Sequence, residues 1–277
     1  MDDKLLDTLR EYADSKDYIR AIFYFDYQNK NNRFNSFFSI VKNPKIYKLE
    51  EDLKEIIPDI VLSNRSKDSF KIESKFQSYT NILVYSYDFN KIKESIIDDK
   101  FAGNFLNEVS EDPIFIVDKD NLGDDVSIQK DFFKDPKPYE FQNCIRDFFS
   151  NALEASFALM ERDRLFASFK LANVRRELLR MTNWYIIDRY SNTKSIGEDG
   201  EYLRNTLTKT YKELLERTFS TADTLSIYNS LFDACTTFRK MGLLLEKNLE
   251  LEYLKREDVE IMKILRSHYK QLESLIN

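Results

Sequence analysis

With 277 residues, 42% of them hydrophobic and 32% charged, the chain is long enough for two domains and too apolar to remain disordered over a long stretch. Its net charge of −6 argues against a nucleic-acid partner, which calls for a basic face, and suits a small cationic molecule or a protein partner. No run approaches the roughly 18 apolar residues of a membrane span, and MDDKLLDTLREYADSKD lacks the basic start and apolar core of a secretory leader, so no membrane partner and a cytoplasmic location are expected.

The first part alternates helix and strand. DDKLLDTLREYAD suits an amphipathic helix with Leu5, Leu6 and Leu9 on one side, capped by Asp2 or Asp3. YIRAIFYF (18–25) and FNSFFSIV (34–41) read as strands joined by the polar loop DYQNKNNR, and LEEDLKEII as a helix stopped by Pro58. DIVLS, SFKIESKF and YTNILVYSY are strand-like, DFNKIKESIID (88–98) reads as a helix, and PIFIVDKD returns to strand. A mixed sheet with helices is expected over 1–120. Residues 121–138, acidic and interrupted by Gly123, Pro136 and Pro138, make the best linker.

Beyond it, over 139–277, the rhythm is helical throughout. Phe141, Ile145, Phe148, Ala152, Ala155 and Leu159 recur at three and four, as do Leu171, Val174, Leu178, Met181 and Tyr185. Leu203, Leu207, Tyr211 and Leu214 predict a third helix. A fourth is predicted from Leu225 to Leu245 and a fifth from Val259 to Ile276. The fold class is therefore α+β, a mixed-sheet domain followed by an α-helical bundle.

Scarcity is informative. Five glycines leave no GxGxxG and no GxxxxGK, so the usual phosphate-cradling loops are absent. The single histidine, His268, sits in a helical pattern with Leu265, Tyr269 and Leu272, and reads as structural. Cys144 and Cys235 form no CxxC pair and read as reduced core residues.

NVRRELLRMTNW (173–184) resembles a helix of the aminoglycoside 6-adenylyltransferase (streptomycin adenylyltransferase) family, which carries a close relative of R-H-E-L-L-R-M-x-S-W. Arg175, Glu177, Leu178, Leu179, Arg180, Met181 and Trp184 match, and Arg176 stands where the family has histidine. YIRAIFYF resembles the family's first core strand, FIVDKD its last, and NCIRDFF its C-x-N-E-F-W helix opening. The resemblance implies a nucleotidyltransferase fold, with substrate held between a small mixed sheet and a helical domain. It also implies Mg²⁺ and ATP: attack on the α-phosphate builds charge that metal ions held by paired carboxylates neutralise.

Laid on this sequence, the family's acidic motifs meet other residues. The G-S-R turn falls on Asp26, Tyr27 and Gln28, and D-x-D on Phe34, Asn35 and Ser36. The third acid falls on or beside Asn81. The family's S-V-G-K-x-x-K segment resembles Ser195, Ile196, Gly197 and Glu198, with Glu201 in place of the second lysine. Magnesium demands hard anionic oxygen ligands, for which amides and hydroxyls are poor replacements. The expectation is a protein with no retained catalytic residues, no metal site and no cofactor. The alternative is an active adenylyltransferase that transfers AMP from ATP to an aminoglycoside hydroxyl through relocated acids, with Asp26 and Asp88 as candidates and Glu73 behind them.

Arg176, Arg180 and Asn183 share a helical face beside Trp184 and could hold an anion or stack a base; equally, Arg180 could pair with Glu177 while Trp184 packs in the bundle. Glu140, Asp147, Glu154 and Glu161 form a drifting acidic stripe. Asp147, in the place of the family's acid before Phe-Trp, is the candidate contact for a cationic ligand, set against a merely solvated face.

Overall fold

The computed structural model describes residues 3–26, 34–45, 54, 56–57, 59–72, 75–87, 91–109, 112–126, 133–197, 200 and 202–276. The chain divides into two compact units, Met1–Phe132 and Phe133–Asn277.

In the first unit, α1 (Asp3–Asp14) precedes β1 (Ile19–Tyr24) and β2 (Phe34–Val41). Then come β3 (Ile60–Ile72), β4 (Lys75–Ser86), β5 (Lys91–Asp98), the short helix α2 (Ala102–Leu106) and β6 (Ile114–Asp118). The strands form one sheet in the order β3-β4-β5-β2-β1-β6. β2 and β5 run parallel, while the other neighbours run antiparallel. Alternation along the strands feeds two cores. Ile22, Phe37, Ile82 and Ile96 pack with Leu9, Tyr12 and Ala13 of α1 on one face. Phe23, Phe38 and Ile97 pack with Phe105 of α2 on the other.

Two expectations need correction here. DFNKIKESIID does not form a helix: Lys91–Asp98 is strand β5, paired with β2 on one side and β4 on the other. Ile92, Ile96 and Ile97 satisfy a helical spacing, but they are β-branched, and ladders on both edges outweigh the local period. DIVLS and the start of SFKIESKF are not separate strands either; they merge into β3, 13 residues long. The helix expected over LEEDLKEII lies largely outside the described residues.

The second unit is helical: α3 (Pro138–Met160), α4 (Arg164–Arg189), α5 (Leu203–Thr206), α6 (Lys209–Glu216), α7 (Thr224–Leu249) and α8 (Lys255–Ile276). Its core joins Phe141, Phe148, Leu178, Met181, Tyr228 and Phe238, all fully or almost fully buried. The helix starts carry their own caps. Asp163 accepts from the Phe166 amide and Asp223 from the Ser226 amide, both at 2.9 Å, each satisfying a donor that the first turn leaves open.

The third helix expected over Leu203–Leu214 is instead two, broken where Leu207 is extended at φ −87, ψ 147. At that break the Tyr190 hydroxyl, in α4's cap, donates to the Thr206 carbonyl at 3.1 Å, satisfying an acceptor that the end of the short helix leaves open. Cys144 and Cys235 are buried free thiols, and burial pushes Cys235 up to about 12. His268 Nδ1 lies 2.8 Å from the buried Ser156 hydroxyl, which also bonds Tyr228. Among the described residues no helix is long and apolar enough to cross a membrane.

Gly242, inside α7, is where Tyr253 packs against bare backbone: a Cβ there would sit 2.5 Å from Tyr253 Cε2. The tyrosine is itself buried and cannot swing aside. We expect Gly242→Ala to destabilise the protein by about 1–3 kcal/mol in urea denaturation, despite alanine's better helix propensity. A neutral or stabilising result would contradict this packing.

Candidate functional site

The sheet face that bears Ser36 is assembled by register. β2 and β5 pair in parallel with Ser36 opposite Lys93, and β5 pairs with β4 with Lys93 opposite Leu83. One row across three strands therefore reads Ser36, Lys93, Leu83, with adjacent strands about 4.8 Å apart. Asn81 lies in the next row. It is opposite Ser95, whose hydroxyl donates to its side-chain oxygen at 2.6 Å, and Ser95 in turn faces Phe38. Asn81 and Ser36 are both buried, on strands separated by β5. Asn35 points to the opposite face with Phe37 and Ser39.

Asp26 is an exposed turn residue just beyond β1. Tyr27, Gln28, Glu73 and Asp88 lie outside the described residues, and of Phe34 only the backbone is described. Sequence reasoning missed two residues. Lys93 is the cross-strand neighbour of Ser36, and Glu94, 1% exposed, is a buried carboxylate on the α1 face, accepting from the Ser39 hydroxyl at 2.6 Å. The alternation in KIKESII carried the signal for both, once β5 is read as a strand.

Ser36, Lys93 and Asn81, the residues at and beside the expected acid positions, do not fit a divalent cation. They offer a hydroxyl, an amide already bonded to Ser95, and an ammonium, where a hard cation needs anionic oxygens. Among the described residues no group of three or more His, Cys, Asp and Glu side chains is placed to hold a metal ion.

On α4 the helical spacing brings together only part of the expected set. The Arg180 guanidinium lies 4.9 Å from the Trp184 ring, and its Nη1 is 3.6 Å from Glu177 Oε2. Trp184 is buried against Phe141 at 6.3 Å between ring centroids. Asn183 is used by the backbone: its side-chain oxygen accepts from the Ile196 amide at 3.0 Å, fixing the segment of Ser195 and Gly197 to the helix. Glu198 and Glu201 lie outside the described residues. Arg176 is exposed and lines a separate cavity with Arg175.

The acidic stripe on α3 is divided among tasks. Glu140 accepts from the Lys137 amide at 2.9 Å, and that bond at the helix start holds its carboxyl below the usual range. Glu154 pairs with Lys170, while Asp147 and Glu161 are exposed. Phe149, where the family carries tryptophan, is buried against Phe148.

A six-stranded mixed sheet followed by a helical unit is the nucleotidyltransferase-type α+β architecture. The crystal structure of an aminoglycoside 6-adenyltransferase from Bacillus subtilis shares the fold with a TM-score of 0.51, at 20% identity over 97% of this chain and 99% of that one. The sequence profile of the streptomycin adenylyltransferase family matches residues 4–268, and the chain belongs to that family. Among curated relatives, an aminoglycoside 6-adenylyltransferase of Staphylococcus aureus is 24% identical over 216 residues, covering 76% of this chain and 77% of its own. One of Bacillus subtilis (strain 168) is 22% identical over 217 residues, covering 77% and 76%.

Proposed function

We propose that this protein is a non-catalytic member of its family, which keeps the transferase fold as a cytoplasmic ligand-binding or regulatory protein. The observation that most supports this reading is the row Ser36, Lys93, Leu83, in which a lysine stands opposite the position where a metal-binding acid is expected. A cation there repels a divalent ion instead of holding it. Phosphoryl-type transfer depends on neutralising charge at the bridging oxygens, so loss of the ligands removes the largest rate contribution available to the fold. Its ligand is a small cationic molecule, for which exposed Asp147 is the candidate contact, or a protein partner. No Mg²⁺ or ATP is needed.

Calorimetry of the purified protein should register no Mg·ATP binding, and mass spectrometry should find no AMP transferred to streptomycin. The rival reading, an active aminoglycoside adenylyltransferase, draws on the named relatives and on the exposed Asp26 beyond β1. Metal-dependent adenylylation that Asp26→Ala or Asp88→Ala abolishes would establish it and remove ours.

A further inference from the structure

The helical unit contains a cavity of about 330 Å³, at the lower end of the ~300–1,000 Å³ range of ligand pockets. Its wall draws on α4, α5, α6 and the residues after α6. Leu178, Leu179, Leu203 and Leu215 supply apolar surface, and Arg175 and Arg176 supply the charge. No acid lines it among the described residues.

Arg175 is the unusual member. Half-buried, its guanidinium donates from Nη1 to the Thr218 carbonyl at 3.1 Å and lies 4.8 Å from the Phe219 ring. Among the described residues it has no carboxylate partner, unlike Arg180 or Arg239. A guanidinium has five N–H donors, and burying one beside a carbonyl and a ring leaves its charge uncompensated. Burial accordingly pushes Arg175 below the usual arginine range, a cost that an anion in the cavity would relieve. Leucines on the other side of the same space require the rest of that ligand to be apolar.

We propose that this cavity binds a small amphiphilic carboxylate, its anionic head on Arg175 with Arg176 at the mouth and its apolar body among the four leucines. Such a site is independent of the Ser36 face and of any transferase chemistry. It accepts anions, whereas the acidic residues of α3 suit cations, so the two predict different ligands.

The probes are octanoate and octan-1-ol, equal in chain length and different in charge, titrated calorimetrically into the full chain. Octanoate should bind with one-to-one stoichiometry and octanol at least about 10-fold more weakly. Arg175→Gln should weaken octanoate by about 10-fold or more and leave octanol nearly unchanged. Ala172→Phe, which crowds the cavity wall one helical turn before Arg175 and Arg176, should abolish octanoate binding while the thermal midpoint holds. A purely structural Arg175 would change the melting behaviour without discriminating between the two probes. Absence of octanoate binding in the wild type, equal affinity for octanol, or full binding by Ala172→Phe overturns the proposal. The last two comparisons stand even if Arg175→Gln fails to fold.

Discussion

Phe148→Ala should lower the stability of the protein by about 3–5 kcal/mol, among the largest losses expected for any single truncation in the helical unit. Phe148 and Phe238 are each 0% exposed, and their rings lie nearly parallel, 15° apart, with centroids separated by 3.8 Å. Phe149 closes the group edge-on at 5.2 Å from Phe148. These rings come from α3 and α7, the first and fourth long periodic segments, so the stack ties helices far apart in the chain. Removing one ring forfeits its transfer energy and leaves a void that two flanking aromatics, too rigid to change shape, cannot fill. Urea denaturation followed by far-UV circular dichroism reads the loss directly. A deficit below about 1.5 kcal/mol would mean that the stack is not the keystone its geometry indicates. Phe148→Leu, which keeps most of the volume, should recover a good part of it.

Arg239→Met should make stability depend on pH. Asp258 has a side chain only 2% exposed, and Arg239 Nε lies 2.8 Å from it. Burial holds the Asp258 carboxyl above its usual range, and Arg239 pulls it part of the way back. For an acid raised in the folded state, the contribution to stability is complete below the unfolded value, about 3.9, and is lost as pH rises through the folded value. Removing the guanidinium raises the folded value further and widens that window. At about pH 7.5 the loss should reach roughly 2 kcal/mol, short of the ~3–5 of a fully enclosed pair because Arg239 is 41% exposed. At about pH 4.5 it should be clearly smaller, since that pH lies close to the unfolded value and little free energy is lost by keeping a proton on the folded carboxyl. Adding Asp258→Asn should flatten the difference. Equal losses at the two pH values would contradict a buried, unneutralised charge.

The parts of this fold that were legible in the sequence are those whose periodicity and partners are local. α3 and α4 announce themselves through apolar residues at three and four, and the Arg180, Glu177 and Trp184 contacts follow from spacing along one helix. β5 was not legible, because Ile92, Ile96 and Ile97 satisfy a helical period and only the ladders contributed by distant β2 and β4 decide otherwise. At the break before Leu207, the Thr206 carbonyl is met by Tyr190, the residue that caps α4, a partner that local sequence does not reveal. The candidate sites divide in the same way. Ser36 could be placed by motif, yet Lys93 as its neighbour is a fact of register. Arg175 sits in a recognisable motif, but the cavity beside it is built from segments that the chain brings together only on folding.

The Ser36, Lys93, Leu83 row also bears on how this lineage can change. Ser36→Asp alone would place its new carboxylate beside an ammonium, and the two would neutralise each other as an ion pair. An acid at position 36 becomes useful to a metal only after position 93 has given up its charge, while an uncharged residue at 93 gains nothing until 36 is acidic. Neither first step improves metal binding by itself. Two neighbouring positions on adjacent strands would therefore have to change together before this row offers a metal an unpaired acid.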